Sequence, residues 1–383
     1  MTCRNTTLIH RRGLITGTIS SALGISTRAS AADAGPVASL SLNERVKQFP
    51  KGGKILVPAG ETFLTSELSL SANRLQLEGQ GANVSLLVHA AKGGNAVKIG
   101  NTTVGGTVES AIRDVGFASP NAQTSAAIYL ENVSTSIIEK IGIAQGNWPG
   151  PRAIGIATSG RELITIQDCN IACARPLVHK KNARHPTIAL DHVRVQRNLL
   201  FATGQDTACI ECEDGVNIST STYQNLALCG GRDGFLWIDR TSTIASFGLS
   251  FRDLRVEQGT SSDGWSINIE SGAGLQSLMM ENCRLDRGRN GIRLRNVQRI
   301  TLTNVEFDTP PEDPNCLLDI VGVPGTVLIM INCFAQTKGT IRFKNLKRVL
   351  GLDPYVAETA IGGFELWSYI ASEADSPHLQ IQN

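Results

Sequence analysis

A short phrase recurs along the chain and constrains its fold more than any other feature. In residues 249–256, 278–285 and 300–307, apolar residues alternate with other residue types, and an Asn or Asp stands at the fifth position. Alternation over this length indicates a β-strand with one buried face. Near-copies at a steady interval predict a repeat architecture. Looser copies lie at residues 112–117, 137–143, 164–171, 188–195, 222–228 and 327–334.

The interval between copies identifies the kind of repeat. The Asn/Asp position recurs on average about every 27 residues, which is typical of solenoids and too short for a propeller blade. A second strand lies between copies, often opened by a small residue such as Gly234 or Gly291. The sequence therefore predicts an all-β, single-stranded parallel β-helix. The repeated position is occupied by Asp114, Lys140, Asp168, Asp191, Asn225, Asp253, Asn282, Asn304 and Asn332.

The repeated Asn and Asp side chains are interpreted as structural rather than catalytic. These residue types bond nearby backbone and tolerate left-handed backbone conformations, so at a turn they can hydrogen-bond from coil to coil. Cys169, Cys283 and Cys333 follow this position and are expected as small core residues. Among the other cysteines, two disulfides remain open, Cys209 with Cys212 and Cys173 with Cys229. The cysteine and histidine spacing does not match a zinc site.

The chain is expected to have four segments. Residues 1–31 have a basic start with Arg11-Arg12, an apolar run and a small-residue cleavage site, which predicts a twin-arginine export signal or an ordinary secretory one. Either signal predicts a periplasmic or secreted bacterial protein, and no later apolar run is long enough to span a membrane. Residues 32–50 are expected to form a short helical cap, residues 51–350 the β-helix, and residues 351–383 a C-terminal cap or tail. A net charge of +2 gives no reason to expect nucleic-acid binding.

The start of the β-helix resembles a known superfamily. The segment from Gly52 to Gly60 reads Gly-Gly-Lys-Ile-Leu-Val-Pro-Ala-Gly, and Leu75-Gln-Leu-Glu-Gly-Gln-Gly follows it. This order resembles the opening of the pectate-lyase-like superfamily, whose members include polysaccharide lyases, glycoside hydrolases, epimerases and phage tailspikes. The resemblance implies a right-handed β-helix and a polysaccharide partner. Arg240 stands where pectate lyases have a histidine in Trp-Ile-Asp-His, and residues 291–295 resemble the Gly-x-Arg-Ile-Lys of polygalacturonases.

Candidate site residues follow from the spacing of stacked coils. Equivalent positions on adjacent coils lie about 4.8 Å apart, and glycoside hydrolases use two carboxyl groups about 5–10 Å apart. Aligning the strands on their small residue stacks Asp233 on Asp263, and outward-pointing residues of the same sheet supply further acids and arginines. His179 and His192 are expected at the surface or in turns. The candidate catalytic acids are Glu211, Asp233, Asp239 and Asp263, and the candidate substrate-binding residues are Arg240, Asn268, Arg293 and Arg295.

Two functions remain open at this point. The first is a lyase or glycoside hydrolase that acts on an acidic, uronate-containing polysaccharide, with arginines pairing the uronate carboxylates. The second is a non-catalytic carbohydrate-binding or cell-envelope protein. No metal site or cofactor is predicted, and calcium enters only if the protein is a lyase. The sequence does not indicate the oligomeric state.

Overall fold

The computed structural model describes residues 41–100, 106–182, 189–257, 263–286, 290–308, 316–335, 340–350 and 380–382. Residues 42–350 of this set form a parallel β-solenoid, which confirms the fold predicted from the repeat. One short helix, Leu42–Lys47, places Leu42 against the core at the start of the solenoid. The predicted export signal and residues 351–379 lie outside the described residues. In the part of the chain that is described, no helix is long and apolar enough to cross a membrane.

Each coil contributes to three stacked parallel sheets. The first sheet holds the first half of the repeated phrase, the second sheet holds its second half, and the third sheet holds the strand between copies. Six strands of the later coils each pass through two sheets, and they start at Ser221, Ser246, Trp265, Asn290, Cys316 and Thr340.

The strands of the first sheet are Gly53–Leu56, Leu75–Glu78, Ala111–Arg113, Ile137–Glu139, Thr165–Gln167 and Arg194–Gln196, continued by Ser221–Gly230, Ser246–Glu257, Trp265–Glu281, Asn290–Thr303, Cys316–Ile331, Thr340–Leu350 and Gln380–Gln382. Those of the second sheet are Gly60–Leu64, Ser85–His89, Gly116–Ala118, Gly142–Ile143, Asn170–Cys173 and Leu199–Ala202, continued by Ser221–Gly230, Ser246–Glu257, Arg284–Asp286, Glu306–Asp308 and Phe334–Ala335.

The strands of the third sheet are Leu68–Leu70, Val97–Gly100, Ala126–Glu131, Ile154–Ser159, Arg175–Lys180, Ala208–Cys212 and Asp233–Ile238, continued by Trp265–Glu281, Asn290–Thr303, Cys316–Ile331 and Thr340–Leu350. Short strands also pair between coils at the corner that joins the third sheet to the first. They are Thr107–Val108 with Val133–Ser134, and Arg161–Glu162 with Leu190–Asp191 and Ile218–Ser219.

The core is built from columns of inward-pointing residues. One column of the third sheet runs through Leu177, Ile210, Phe235, Ile267 and Ile292, which occupy the same register in successive coils and are all buried. Each such side chain contributes about 1.5–3 kcal/mol by leaving water. Because every coil repeats the column, the solenoid gains core in proportion to its length.

The corner between the first and second sheets uses the repeated Asn/Asp position, as predicted. Asp253, Asn282 and Asn304 have left-handed φ values of 51°, 53° and 52°. The Asn282 amide donates to Asp253 Oδ1 at 3.3 Å, and the Asn304 amide donates to Asn282 Oδ1 at 2.8 Å. The side chains therefore connect three successive coils, which confirms their structural interpretation.

One member of the repeat was assigned wrongly from the sequence. Asp191 does not occupy the left-handed corner, because Leu190 and Asp191 pair with neighbours in the small corner sheet. The corner position of that coil belongs to Arg197, with φ 54°. Arg197 donates Nε and Nη2 to the two oxygens of Asp168 in the preceding coil, each at 2.7 Å. A bidentate ion pair takes the place of the amide bonds seen elsewhere in the column.

The eight described cysteines are free thiols, so neither of the disulfides left open by the sequence is formed. Cys169, Cys283 and Cys333 are buried in the core as predicted. Burial raises the pKa of the Cys169 thiol to about 12, because the charged thiolate would have to leave water. These side chains therefore act as small hydrophobic groups.

We expect Asn282→Ala to lower the free energy of unfolding by about 1–2 kcal/mol, because an L-residue with a Cβ but no local hydrogen bond is strained in the left-handed region. Asn282→Gly should cost less, because glycine adopts this conformation readily. Equilibrium urea unfolding of both variants measures the difference. If Gly costs as much as Ala, the inter-coil hydrogen bonds rather than the backbone conformation would account for the effect.

Candidate functional site

The outward face of the third sheet carries the polar side chains that could meet a ligand. Two rows of outward positions run along the solenoid axis, and adjacent members of a row lie on successive coils. The first row consists of Tyr129, Ala157, Val178, Glu211, Leu236, Asn268, Arg293 and Asp319. The second row consists of Glu131, Ser159, Lys180, Glu213, Ile238, Glu270, Arg295 and Val321.

Two carboxylates on this face share one arginine. Arg175 donates Nε to Glu211 Oε2 at 2.8 Å and Nη2 to Glu211 Oε1 at 2.7 Å. The same Nη2 lies 3.5 Å from Glu213 Oε1. The Arg175 side chain is 15% exposed, whereas Glu211 and Glu213 are 21% and 36% exposed. Burial lowers and the two carboxylates raise the pKa of Arg175, with a net increase. The guanidinium stays charged and holds the Glu211 carboxylate in one orientation.

The spacing of the two carboxylates is bounded by these contacts. Because Glu211 Oε1 and Glu213 Oε1 both approach Arg175 Nη2, their separation cannot exceed the sum of 2.7 and 3.5 Å. This limit applies to the two oxygens that face Arg175, and it is compatible both with the about 5–5.5 Å between carboxyl groups in retaining glycosidases and with the roughly 6.5–9.5 Å in inverting ones. The contacts therefore place two carboxyl groups of one sheet face close enough to act on the same bond.

A tyrosine lies on the N-terminal side of the pair. The Tyr129 hydroxyl hydrogen-bonds Ser159 Oγ at 2.9 Å, and Lys98 lies over the Tyr129 ring at 5.9 Å from its centroid. Desolvation raises the pKa of Tyr129, and the negative charges of Glu131 and Glu213 add to the increase. Tyr129 is therefore neutral at ordinary pH, and its hydroxyl can either donate or accept a hydrogen bond. The Tyr129 ring packs against a small buried apolar cluster formed by Ala126, Ile154, Ala157 and Val178.

Asp233 is fully buried, and its neighbour on the next coil is Trp265 rather than Asp263. Asp233 Oδ2 accepts from Arg232 Nε at 2.7 Å, and Oδ1 accepts from the Trp265 backbone N–H at 2.9 Å. Desolvation raises the pKa of Asp233, although its hydrogen bonds, including one from the Asn268 side chain, act in the opposite direction. The predicted stacking of Asp233 and Asp263 is wrong, because the strands align on inward residues and not on Gly234 and Gly264.

Asp239 and Arg240 lie at the corner that follows the third sheet. Asp239 Oδ1 accepts from the backbone N–H groups of Gly215, Thr241 and Ser242 at 2.9–3.2 Å. It is buried and fixes the corner. The Arg240 side chain is exposed, and its backbone N–H donates to Asp214. Asp263 is exposed beside residues outside the described set. The structure does not bring these three residues to the Glu211–Glu213 pair.

The remaining predicted binding residues do share the outward face. Asn268 is 5% exposed, and its Oδ1 atom has no hydrogen-bond partner among the described residues. Arg293 is half-buried on the next coil. Arg295 is already engaged, since its Nη2 lies 2.6 Å from Asp319 Oδ2 and its Nη1 donates to the Asp319 backbone oxygen at 2.8 Å.

Sequence reasoning missed Arg175 and Tyr129, and it noted Glu213 only as a neighbour of Glu211. Arg175 precedes Glu211 by 36 residues, and only the coil register brings them together. His179 was expected at the surface but lies in the core. It hydrogen-bonds Thr158 Oγ1 through Nδ1 at 2.8 Å and the Tyr223 hydroxyl through Nε2 at 2.9 Å. The described residues contain no group of three or more His, Cys, Asp and Glu side chains placed to hold a metal ion.

Comparison with solved structures supports the fold. The Dettilon tailspike protein matches with a TM-score of 0.56 and 12% sequence identity over 88% of this chain and 65% of its own. A tailspike protein of Acinetobacter baumannii bacteriophage Fri1, described as a capsular polysaccharide depolymerase, matches with a TM-score of 0.52 and 10% identity over 80% of this chain and 59% of its own. The chain thus spans less than two thirds of either tailspike. No protein-family model and no curated protein matches the sequence.

Proposed function

We propose that the chain is an exported glycoside hydrolase that cleaves an acidic polysaccharide on the outward face of the third sheet. The observation that carries this proposal is the Glu211–Glu213 pair, two carboxylates within reach of one arginine on an accessible β-sheet face. The shared fold with a tailspike depolymerase supports a polysaccharide as the substrate class. Export rests on the apolar leader with Arg11-Arg12.

The reaction needs a general acid and a nucleophile, and each carboxyl group of the pair can supply one of them. One carboxyl group donates its proton to the glycosidic oxygen as the bond to the anomeric carbon breaks, and the other carboxylate attacks that carbon to form a glycosyl ester. Water then attacks the ester, and the first residue, now ionised, removes the proton from that water. Arg175 fixes the orientation of Glu211, and Glu213 is the less constrained and more exposed member. A reaction through this ester predicts retention of the anomeric configuration.

A binding protein without catalysis is the second candidate. The bidentate contact between Arg175 and Glu211 is also what a structural ion pair between coils would look like. In that case the carboxylates would stabilise the sheet, and the face would only bind glycan. Measurement of turnover separates the two functions, because an ion pair that is purely structural gives none.

The test uses the protein as isolated after export and a panel of uronate-containing and neutral polysaccharides. Reducing ends and the ultraviolet absorbance of unsaturated uronate are followed in parallel, with a Glu211→Gln/Glu213→Gln double variant as the inactive control. New reducing ends without absorbance, absent from the double variant, are expected. A rise in the absorbance of unsaturated uronate would mean that the protein is a lyase and not a hydrolase. No reaction with any polymer of the panel would leave the binding function.

A further inference from the structure

We infer that the first row contains a subsite for an anionic group of the glycan, formed by Asn268 and Arg293, on the C-terminal side of the carboxylate pair. This inference rests on the proposed function for the position of the cleaved bond. It adds a second recognition point at a distance from that bond, and a direction for the bound chain along the solenoid axis. The first row reads Glu211, Leu236, Asn268, Arg293 over four successive coils.

The first observation is an acceptor without a donor. Asn268 is nine-tenths buried, its amide group donates to Asp233, and its Oδ1 atom has no hydrogen-bond partner among the described residues. A buried carbonyl oxygen left without a donor costs about 1–3 kcal/mol. Because the Asp233 bond fixes the amide orientation, Oδ1 is held ready to accept a hydrogen bond from a ligand O–H or N–H group.

The second observation is an arginine whose charge is not matched by a carboxylate. Within the described part of the chain, Arg293 forms no ion pair or side-chain hydrogen bond, although Asp319 is its neighbour on the following coil. Asp319 is taken by Arg295, at 2.6 Å. Arginine is suited to bidentate recognition of carboxylates and of sulfate or phosphate groups. The guanidinium of Arg293, next to the Asn268 Oδ1 atom that lacks a donor, fits an anionic sugar that carries a neighbouring hydroxyl group.

The distance between the pair and the subsite sets the direction of the glycan. Coils stack about 4.8 Å apart, so the three coils from Glu211 to Arg293 place the subsite about 14 Å from the carboxylate pair. A glycan reaches both points only if several sugar units lie along the solenoid axis, with Leu236 between them as an apolar floor. The anionic unit is therefore recognised away from the cleaved bond.

Binding is measured in a Glu213→Gln background, so that no probe is cleaved. The probes are polygalacturonate, its carboxyl-reduced neutral form, dextran sulfate and dextran, and affinity is measured by calorimetry or affinity electrophoresis. We expect Arg293→Gln to weaken binding of the anionic probes about tenfold or more and to leave the neutral probes unchanged. Comparison of polygalacturonate with dextran sulfate shows whether a carboxylate or a sulfate is preferred. Arg299→Gln, an exposed arginine on the first sheet, is the matched control and should change nothing.

Asn268→Ala should weaken binding of polygalacturonate and of its reduced form alike, because both carry the hydroxyl. Arg293→Gln with equal effects on charged and neutral probes, or with no effect, overturns the inference, as does a protein that binds no anionic probe more tightly than its neutral counterpart. Failure here is separable from failure of the proposed function. Loss of turnover in Glu213→Gln, with unchanged discrimination in Arg293→Gln, removes only the subsite. Intact turnover in Glu213→Gln removes only the carboxylate assignment.

Discussion

Glu213→Gln is expected to lower kcat on a cleaved polysaccharide by about 10²–10⁴-fold, the usual contribution of a positioned acid or base. The amide keeps the size of the carboxyl group but can neither donate nor remove the proton that the reaction requires. Glu211→Gln should have an effect at least as large, because it also removes one acceptor of the Arg175 contact. Substrate binding should change little, since neither change removes the Asn268–Arg293 subsite.

The control for this prediction is Glu281→Gln. Glu281 is a partly exposed acid on the first sheet, 3.5 Å from Arg252, and it lies away from the candidate site. Its replacement should leave kcat within a factor of about two, the range expected for a surface ion pair of little energetic value. Values of kcat within threefold of the unmodified protein for both Glu211→Gln and Glu213→Gln would contradict the assignment of the pair.

The two roles can be separated with azide, a small anion that replaces a missing carboxylate. If the nucleophile is truncated to alanine, azide attacks the sugar directly and gives a glycosyl azide of inverted configuration. If the acid is truncated, azide attacks the glycosyl ester and gives a product of retained configuration. The bidentate contact with Arg175 orients Glu211, which suits the nucleophile, and leaves Glu213 for the role of the acid. The opposite product pattern would exchange the roles.

The repeat could be predicted from the sequence because its chemistry is local. A left-handed corner favours Asn and Asp whatever lies around it, so Asp253, Asn282 and Asn304 identified both the fold and the coil length. The prediction failed where another residue took the corner. Arg197 adopts the same conformation because Asp168 of the preceding coil holds its guanidinium, a contact between residues 29 positions apart. No local pattern indicates it.

The site was predictable only in part, for a related reason. Alternation along one strand was enough to place Glu211 on the outward face, and the sequence also placed Asn268 and Arg293 there. The pairing of side chains between coils depends on register, and an alignment on Gly234 and Gly264 was shifted by two residues. That shift stacked Asp263 on Asp233, where the structure has Trp265. Arg175 was missed for a separate reason, since its partner Glu211 lies on the next coil, 36 residues further along the chain. The burial of Asp233 and Asp239 was also not predicted. Both carboxylates accept hydrogen bonds from backbone N–H groups, which the sequence does not reveal.

The buried His179 should make the protein less stable in acid. Desolvation lowers the pKa of His179 to about 3, whereas an unfolded histidine titrates near 6.5. Between these values the unfolded chain binds a proton at this position and the folded chain does not, so stability rises with pH. The contribution of the neutral imidazole is complete above about pH 6.5 and is lost as the pH falls toward 3. At about 1.4 kcal/mol for each pH unit, the loss amounts to about 3 kcal/mol at pH 4.5.

Carboxylates also titrate in this range, so the measured quantity is the difference between the unmodified protein and His179→Gln. Glutamine retains a donor and an acceptor for Thr158 and Tyr223 but has no proton to gain. Between pH 7 and 4.5, the decrease in the free energy of unfolding in urea should be about 3 kcal/mol smaller in His179→Gln than in the unmodified protein. This difference is independent of how stable the variant is at neutral pH. His192→Asn, which removes an exposed imidazole in a corner, should follow the unmodified protein. Parallel pH dependences of His179→Gln and the unmodified protein would mean that His179 gains its proton without unfolding, through a local opening of the core around Tyr223.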